Sequence, residues 1–354
     1  MKLNDRIKNS ILDTTIVRCE VENDDSTQHY YDSIIQSLKI DNFPLISVNT
    51  IEKKTYIVEC EGLFFLVFDH YLIECMHLLN QCILNENQLK SVELFFFKSA
   101  SEECYVQCNL SSAVKFASKY MNRLDDVVSI YLTEEFSKSI PNYLFIQQAF
   151  LIAHEVFHFY VHKNPNKQIK GMIAKESFLQ RIYDYTKKKN ENVAFYMLDV
   201  IRDKNMIEEC LCDSTAVIQA MDVAEKTGKL SIVESGIAIV LALMNQYTIS
   251  VIQDTIKFSC NIFYERIQNL YNFRLLHLKE FISLYFKDYV SNEKCSQYQK
   301  QVEEIHDMWL KKVMQPIMNM LVEYNSLLKK ESKNEKKKVN TKEVKELLKK
   351  IYLT

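Results

Sequence analysis

Two histidines and a glutamate interrupt an apolar run at residues 150–160, FLIAHEVFHFY. On a helix, His154 and His158 lie four residues apart, so both imidazoles project from one face and can bind one metal ion. Glu155 stands one position round the helix, where it can take a proton from a water molecule activated at that ion. Leu151, Ile152, Ala153, Val156, Phe157, Phe159 and Tyr160 carry no charge. Such flanks describe a buried helix whose dry walls strengthen the electrostatics of a site. By composition alone an HExxH pattern arises in roughly 1–2% of chains of this make-up. The competing reading is a surface helix with three polar residues. The apolar flanks make it awkward, because an unpaired buried glutamate is costly.

A catalytic zinc site takes a third protein ligand. The segment MIEECLCDSTAVIQAM (206–221) reads as a helix and carries an acidic pair four residues apart, Glu209 and Asp213. An exposed acidic helix turn would look the same. His162 continues the histidine series but lies about 12 Å along the axis from His154, so three such histidines cannot share one zinc on a straight helix. A metzincin pattern needs histidine at position 164, which is Asn164. Cys210 and Cys212, or Cys104 and Cys108, are soft donors, yet nothing in the sequence brings the two pairs together. Buried thiols acting as small hydrophobes explain them more simply.

HEVFH together with ECLCD resembles the gluzincin group of zinc metallopeptidases, over residues 150–216 or so. In that group a second helix supplies a glutamate ligand, and an acidic residue four positions later holds a ligand histidine in one tautomer. The resemblance therefore implies that His154, His158 and Glu209 bind Zn2+ and that Asp213 orients a histidine. It also implies that Ala216 is small enough for close helix packing. Within the group the chain looks most like the Lit-type phage-exclusion peptidases, which cleave a host translation factor. It is also similar to CaaX-processing peptidases, without their membrane helices, and to repressor-cleaving peptidases that pair with a DNA-binding regulator.

Peptide hydrolysis also needs a donor for the developing oxyanion. Residues 260–281 offer Tyr264, Arg266, Tyr271, Arg274 and His277. Arg266 is the choice taken here, with packing or surface ion pairing as the default role of all five.

The elements that must hold these residues are mostly helical. Only four glycines and four prolines occur, too few for the many tight turns of a strand-rich fold. TIVRCEVE (15–22) and VVSIYL (127–132) read as strands, and TYIVECEGLFFLVFD (55–69) as a hairpin turning at Glu61-Gly62. Helical spacing covers 72–82 and 102–121. After Pro141, helices are expected near 144–162, 172–188, 192–226, 230–257, 261–286 and 298–330. Pro165 in KNPNK stops the first of them, and Thr227-Gly228 ends another. The expected fold is mainly α, with a small α+β N-terminal part and zincin-like catalytic helices. Its divisions are an α+β region over 1–124, a catalytic region over 125–290 and a helical extension over 291–354.

The N-terminus shows no apolar segment of signal-peptide length, which points to a cytoplasmic protein whose ten cysteines are reduced thiols. SIVESGIAIVLALMNQYTISVI (231–252) is the membrane candidate. Glu234, Asn245 and Gln246 mark it as a core helix, since a span wants about 20 apolar residues. From Lys329 to Lys350 ten lysines face four glutamates, a local +6, so a net charge of −2 leaves the remainder at −8. This tail lacks arginine and interleaved aromatics and reads as a solvated linker and terminal helix, so nucleic acid and membrane are not expected partners. The expected activity is zinc-dependent cleavage of one particular intracellular protein, in phage defence or abortive infection, with a regulatory protein or peptide as a further partner. The alternative is a helical interaction module with at most a structural metal, using the lysine tail as its contact surface.

Overall fold

The computed structural model describes residues 25–40, 44–60, 62–84, 89–127, 134–163, 175–180, 183–184, 187, 203–258 and 261–328, with the side chains of Asp25, Leu89, 124–127, 134–138, 258 and 261–270 excepted. The strand expected at 15–22, residues 128–132 of the one expected at 127–132, and the lysine tail all lie outside these residues. Val127 itself ends a helix.

The chain is mainly α-helical with one small sheet. Helix α1 (Asp25–Leu38) leads into β1 (Leu45–Val48), β2 (Tyr56–Cys60) and β3 (Leu63–Asp69). The expected hairpin forms as β2 and β3, antiparallel, turning through Gly62 at φ 78°. Such a positive φ suits a residue without a Cβ. β1 was not foreseen. It pairs parallel with β3, placing β3 centrally in the order β1-β3-β2, and a parallel partner leaves no hairpin signature in sequence. Buried Asp69 at the end of β3 fixes the loop after β1: it accepts the Thr50 N–H at 3.1 Å, the Thr50 hydroxyl, and the Tyr71 N–H at 3.0 Å.

Helices α2 (His70–Leu84), α3 (Leu89–Val106) and α4 (Leu110–Val127) follow. The single helix expected over 102–121 is broken, because the chain turns at Gln107–Asn109 with Cys108 at φ 60°. Helix α5 (Glu134–Lys163) starts ten residues before its expected position and runs through Pro141, which removes one backbone hydrogen bond in its third turn. Helix α6 (Lys204–Thr227) is capped by the Asp203 carboxylate at its start and by Gly228, φ 61°, at its end. Helices α7 (Ile232–Phe258), α8 (Asn261–Tyr289) and α9 (Asn292–Trp309) complete the core. The long helix expected over 298–330 begins earlier, at Asn292, and runs as α9, a π turn (Leu310–Met314) and α10 (Gln315–Glu323) without a gap, then breaks at Tyr324 before α11 (Asn325–Leu328). From the expected 172–188 helix, residues 175–180, 183–184 and 187 are described, and they are helical.

Helix α7 runs through the middle, packed on α3, α5, α6, α8 and α9. A Cβ at Gly236 would lie 3.1–3.2 Å from Ile282, Tyr298 and Phe286, so glycine sets how closely α8 and α9 approach. The apolar cluster so formed reaches from Tyr31 to Leu328. Helices α5 and α7 both have the length and apolarity of a membrane span, and the α7 segment is 89% buried within the protein.

Candidate active site

Helices α5 and α6 lie against each other in opposite directions. His154 meets Asp213 and Glu209, His158 meets Glu209 and Glu208, and His162 meets Glu208, so partners descend α6 as they ascend α5. Buried alanines on both helices, Ala149 and Ala153 on α5 and Ala216 and Ala220 on α6, suit a close approach. That pairing joins two segments that the sequence separates by fifty residues.

At the centre, His154 Nε2 and His158 Nε2 face each other at 3.1 Å. The Glu209 carboxylate closes the set, with Oε1 3.3 Å from His158 Nε2 and Oε2 3.4 Å from His154 Nε2. Each ring has a second carboxylate behind it. Asp213 Oδ1 is 3.0 Å from His154 Nδ1, although the N–H does not point squarely at it. Glu208 Oε1 is 3.1 Å from His158 Nδ1. A carboxylate at each Nδ1 favours the tautomer with its proton there, which turns both Nε2 lone pairs inward. Two lone pairs and a carboxylate then converge on one point, an arrangement that needs a positive charge at its centre.

That demand is visible in the electrostatics. Burial works against a charge on His154, but Asp213 and Glu209 overcome it and raise its pKa to about 10. Burial also pushes Glu209 and Asp213 toward the neutral form. Arg274 outweighs it, with His154, and both carboxyls sit well below the ordinary range. Arg274, from α8, donates from Nε and Nη2 to Asp213 at 2.9 and 2.7 Å, and its Nη1 lies 2.9 Å from Glu209. All of this places its charge behind the donor set rather than in front of it.

A metal ion fits this donor set. Zinc, bound at about 2.0–2.2 Å by tetrahedral ligands, spaces neighbouring donors about 3.3–3.6 Å apart; here the two Nε2 atoms are 3.1 Å apart, and one donor atom from each of His154, His158 and Glu209 lies within 4.8 Å of the other two. Glu155 lines the cleft, of about 400 Å3, that opens onto these three residues. Burial raises its carboxyl pKa, with His154 and His158 pulling the other way. Across the cleft stand Gln246 and Gln253 of α7, Tyr271 of α8, and Lys53 and Lys54 of the loop that Asp69 fixes. Tyr271 stacks on Tyr247 at 4.8 Å and shares a 2.9 Å hydrogen bond with Ser250, and burial raises its phenol pKa, so it stays a donor. Lys53 is committed to Glu102 at 2.7 Å. A larger groove of about 930 Å3 runs past Ile218 and Phe281 on another face, but neither histidine of the motif lines it.

The structure thus brings together His154, Glu155, His158, Glu209 and Asp213. The side chain of Arg266 lies outside the described residues. Sequence reasoning named Arg274 and Tyr271 only as candidates and did not single out Glu208. Its one available signal was its position, i+5 before Asp213 and adjacent to Glu209 on a helix that meets α5. Among the described residues no cysteine joins a metal-type cluster. Cys104, Cys210 and Cys212 are buried thiols whose pKa values burial pushes up, Cys104 to about 12. No family model matches this chain, and no curated protein or solved structure matches it either.

Proposed function

We propose that this protein is a zinc-dependent metalloendopeptidase whose helices α5 and α6 form a zincin-like catalytic pair. One observation carries the reading: two inward-facing Nε2 atoms and the Glu209 carboxylate converge on one point, with Glu155 on the same cleft. His154, His158 and Glu209 would hold the metal, and its bound form supplies Lewis acidity toward a carbonyl oxygen and a water molecule. Glu155 accepts a proton from the attacking water on a carboxylate oxygen and delivers it to the leaving amine nitrogen. Its burial, which raises the affinity for that proton, suits both halves of the transfer. Tyr271 donates its phenolic O–H toward the developing oxyanion. Arg274 has its donors tied to Asp213 and Glu209, so it positions the ligand carboxylate instead of binding substrate.

The cleft, about 400 Å3, admits a few residues of an extended peptide. A role in abortive-infection defence rests on the resemblance of HEVFH and ECLCD alone.

Zinc content per chain, by elemental analysis of protein purified without a metal-binding tag, is the first test. One zinc is expected, and a chain that neither carries nor takes up metal would sink the proposal. Glu155→Gln should lower turnover about 10²–10⁴-fold while zinc content and unfolding midpoint stay unchanged. Full activity in that variant would remove Glu155 from the mechanism. Growth arrest on expression that vanishes with Glu155→Gln is the outcome expected of a defence role.

A further inference from the structure

The same helix pair assembles a second donor set just outside the first. His162, one turn beyond His158, places Nε2 3.0 Å from Glu208 Oε1, and that oxygen is also 3.1 Å from His158 Nδ1. The two rings are nearly parallel, 15° apart with centroids at 6.4 Å, so each offers a nitrogen to one carboxylate between them. The three donor atoms lie within 4.8 Å of one another, as do those of the inner set. Accessibility increases outward: the side chain of Glu208 is 15% exposed and that of His162 63%.

We propose that His158, His162 and Glu208 form a second, outer site for a divalent cation of the zinc type, joined to the inner site through the His158 ring. Two imidazole nitrogens and one carboxylate oxygen favour zinc and its late first-row neighbours over magnesium or calcium, which prefer all-oxygen shells. His158 can serve both sites only by releasing its Nδ1 proton to solvent. Two cations on opposite edges of one ring also repel each other, so the outer site is the weaker of the two. A cation there draws Glu208 Oε1 away from the Nδ1–H that it holds. Carboxylates in that position orient a ligand histidine, so filling the outer site disturbs the inner one. The outer site is therefore an inhibitory one, filled when zinc is in excess. The inference depends on the proposed inner site only through the shared ring.

The test is zinc titration of the full chain, stripped of metal by a chelator, with a chromophoric chelator competing for the ion. The wild-type chain should take up two zinc ions, the second more weakly. His162→Ala should take up one, with the affinity of the tight step unchanged. His162 is exposed and near the end of α5, so its loss leaves the fold intact, and unchanged helical circular dichroism verifies this. One tightly held zinc in both proteins overturns the outer site and leaves the inner one standing. Two in both places the second ion elsewhere and likewise overturns it. None in either overturns the outer site together with the proposed metallopeptidase.

Discussion

Gln147 and His154 lie seven residues apart on α5, and both carry polar atoms into an apolar interior. Gln147 enters a closed set of amides. It accepts from Asn80 Nδ2 at 3.0 Å and donates to Asn80 Oδ1 at 3.2 Å, while Asn245 donates to the same oxygen at 2.8 Å. These bonds tie α2, α5 and α7 together, and of the six side-chain N and O atoms only Asn245 Oδ1 has no partner among the described residues. His154 enters a set that does not close on itself. Its Nε2 faces another imidazole nitrogen, and four carboxylates (Glu155, Glu208, Glu209 and Asp213) share the site with the guanidinium of Arg274. Amides carry donor and acceptor together and can satisfy one another with no net charge. Imidazoles turned lone pair to lone pair beside carboxylates cannot. The first arrangement specifies packing, and the second specifies a ligand.

The largest stability effect should come from breaking the charge balance. Arg274→Met strands Asp213, which is fully buried, and removes a partner of Glu209. Breaking a buried ion pair from one side costs about 3–5 kcal/mol, read as a shift in denaturant midpoint. Arg274→Lys should recover only part of this, because an ammonium cannot reproduce the two-pronged contact with Asp213. A loss below about 1 kcal/mol would mean that His154 alone balances Asp213.

The amide set should respond more mildly, and only in stability. Asn80→Ala leaves Gln147 and Asn245 without their shared partner, at a cost of about 2–3 kcal/mol. Zinc content should be untouched. If Asn80→Ala releases zinc, the two regions of α5 are coupled and the contrast drawn between them fails.

The same contrast explains what could be read from sequence. HEVFH was legible because one turn of helix fixes the geometry of its three polar residues, whereas Glu209 and Asp213 were singled out through the resemblance of ECLCD, since an acidic pair four apart reads equally as an exposed helix turn. Arg274 was not, since it meets Asp213 across 61 residues and α8 carries several polar side chains with nothing local to rank them. The hairpin was written in alternating residues and a glycine turn. β1, four residues paired in parallel with β3, was not. Helix interiors were read well from spacing, whereas the run through Pro141, the break at Cys108 and the π turn at Leu310–Met314 are set by tertiary packing and not by local preference.

Two buried histidines sharpen the comparison within a single residue type. The carboxylates around His154 raise its pKa. His277, on α8, goes the other way: burial first, and Lys175 next, lower it to about 3. Its Nε2 lies 3.2 Å from Ser214 Oγ and 3.4 Å from Lys175 Nζ, with Asp213 and Arg274 also acting on it and the rings of Phe178 and Phe281 close by. Between pH 6.5 and about 3 the unfolded chain binds a proton at this histidine and the folded chain does not. Stability must therefore fall as pH falls through that window, by up to about 1.4 kcal/mol per pH unit. Other groups titrate there too, so the quantity to measure is the difference between wild type and His277→Gln in denaturant unfolding from pH 7.5 to pH 5. The variant should lose stability less steeply on acidification, because glutamine has no proton to gain on unfolding. Parallel curves would show that His277 binds its proton equally well folded and unfolded, so that burial does not govern it. A variant that loses stability more steeply than wild type between pH 7.5 and pH 6.5 would show the pKa of His277 raised by Asp213 in the manner of His154, and the two histidines would then belong to one charged network.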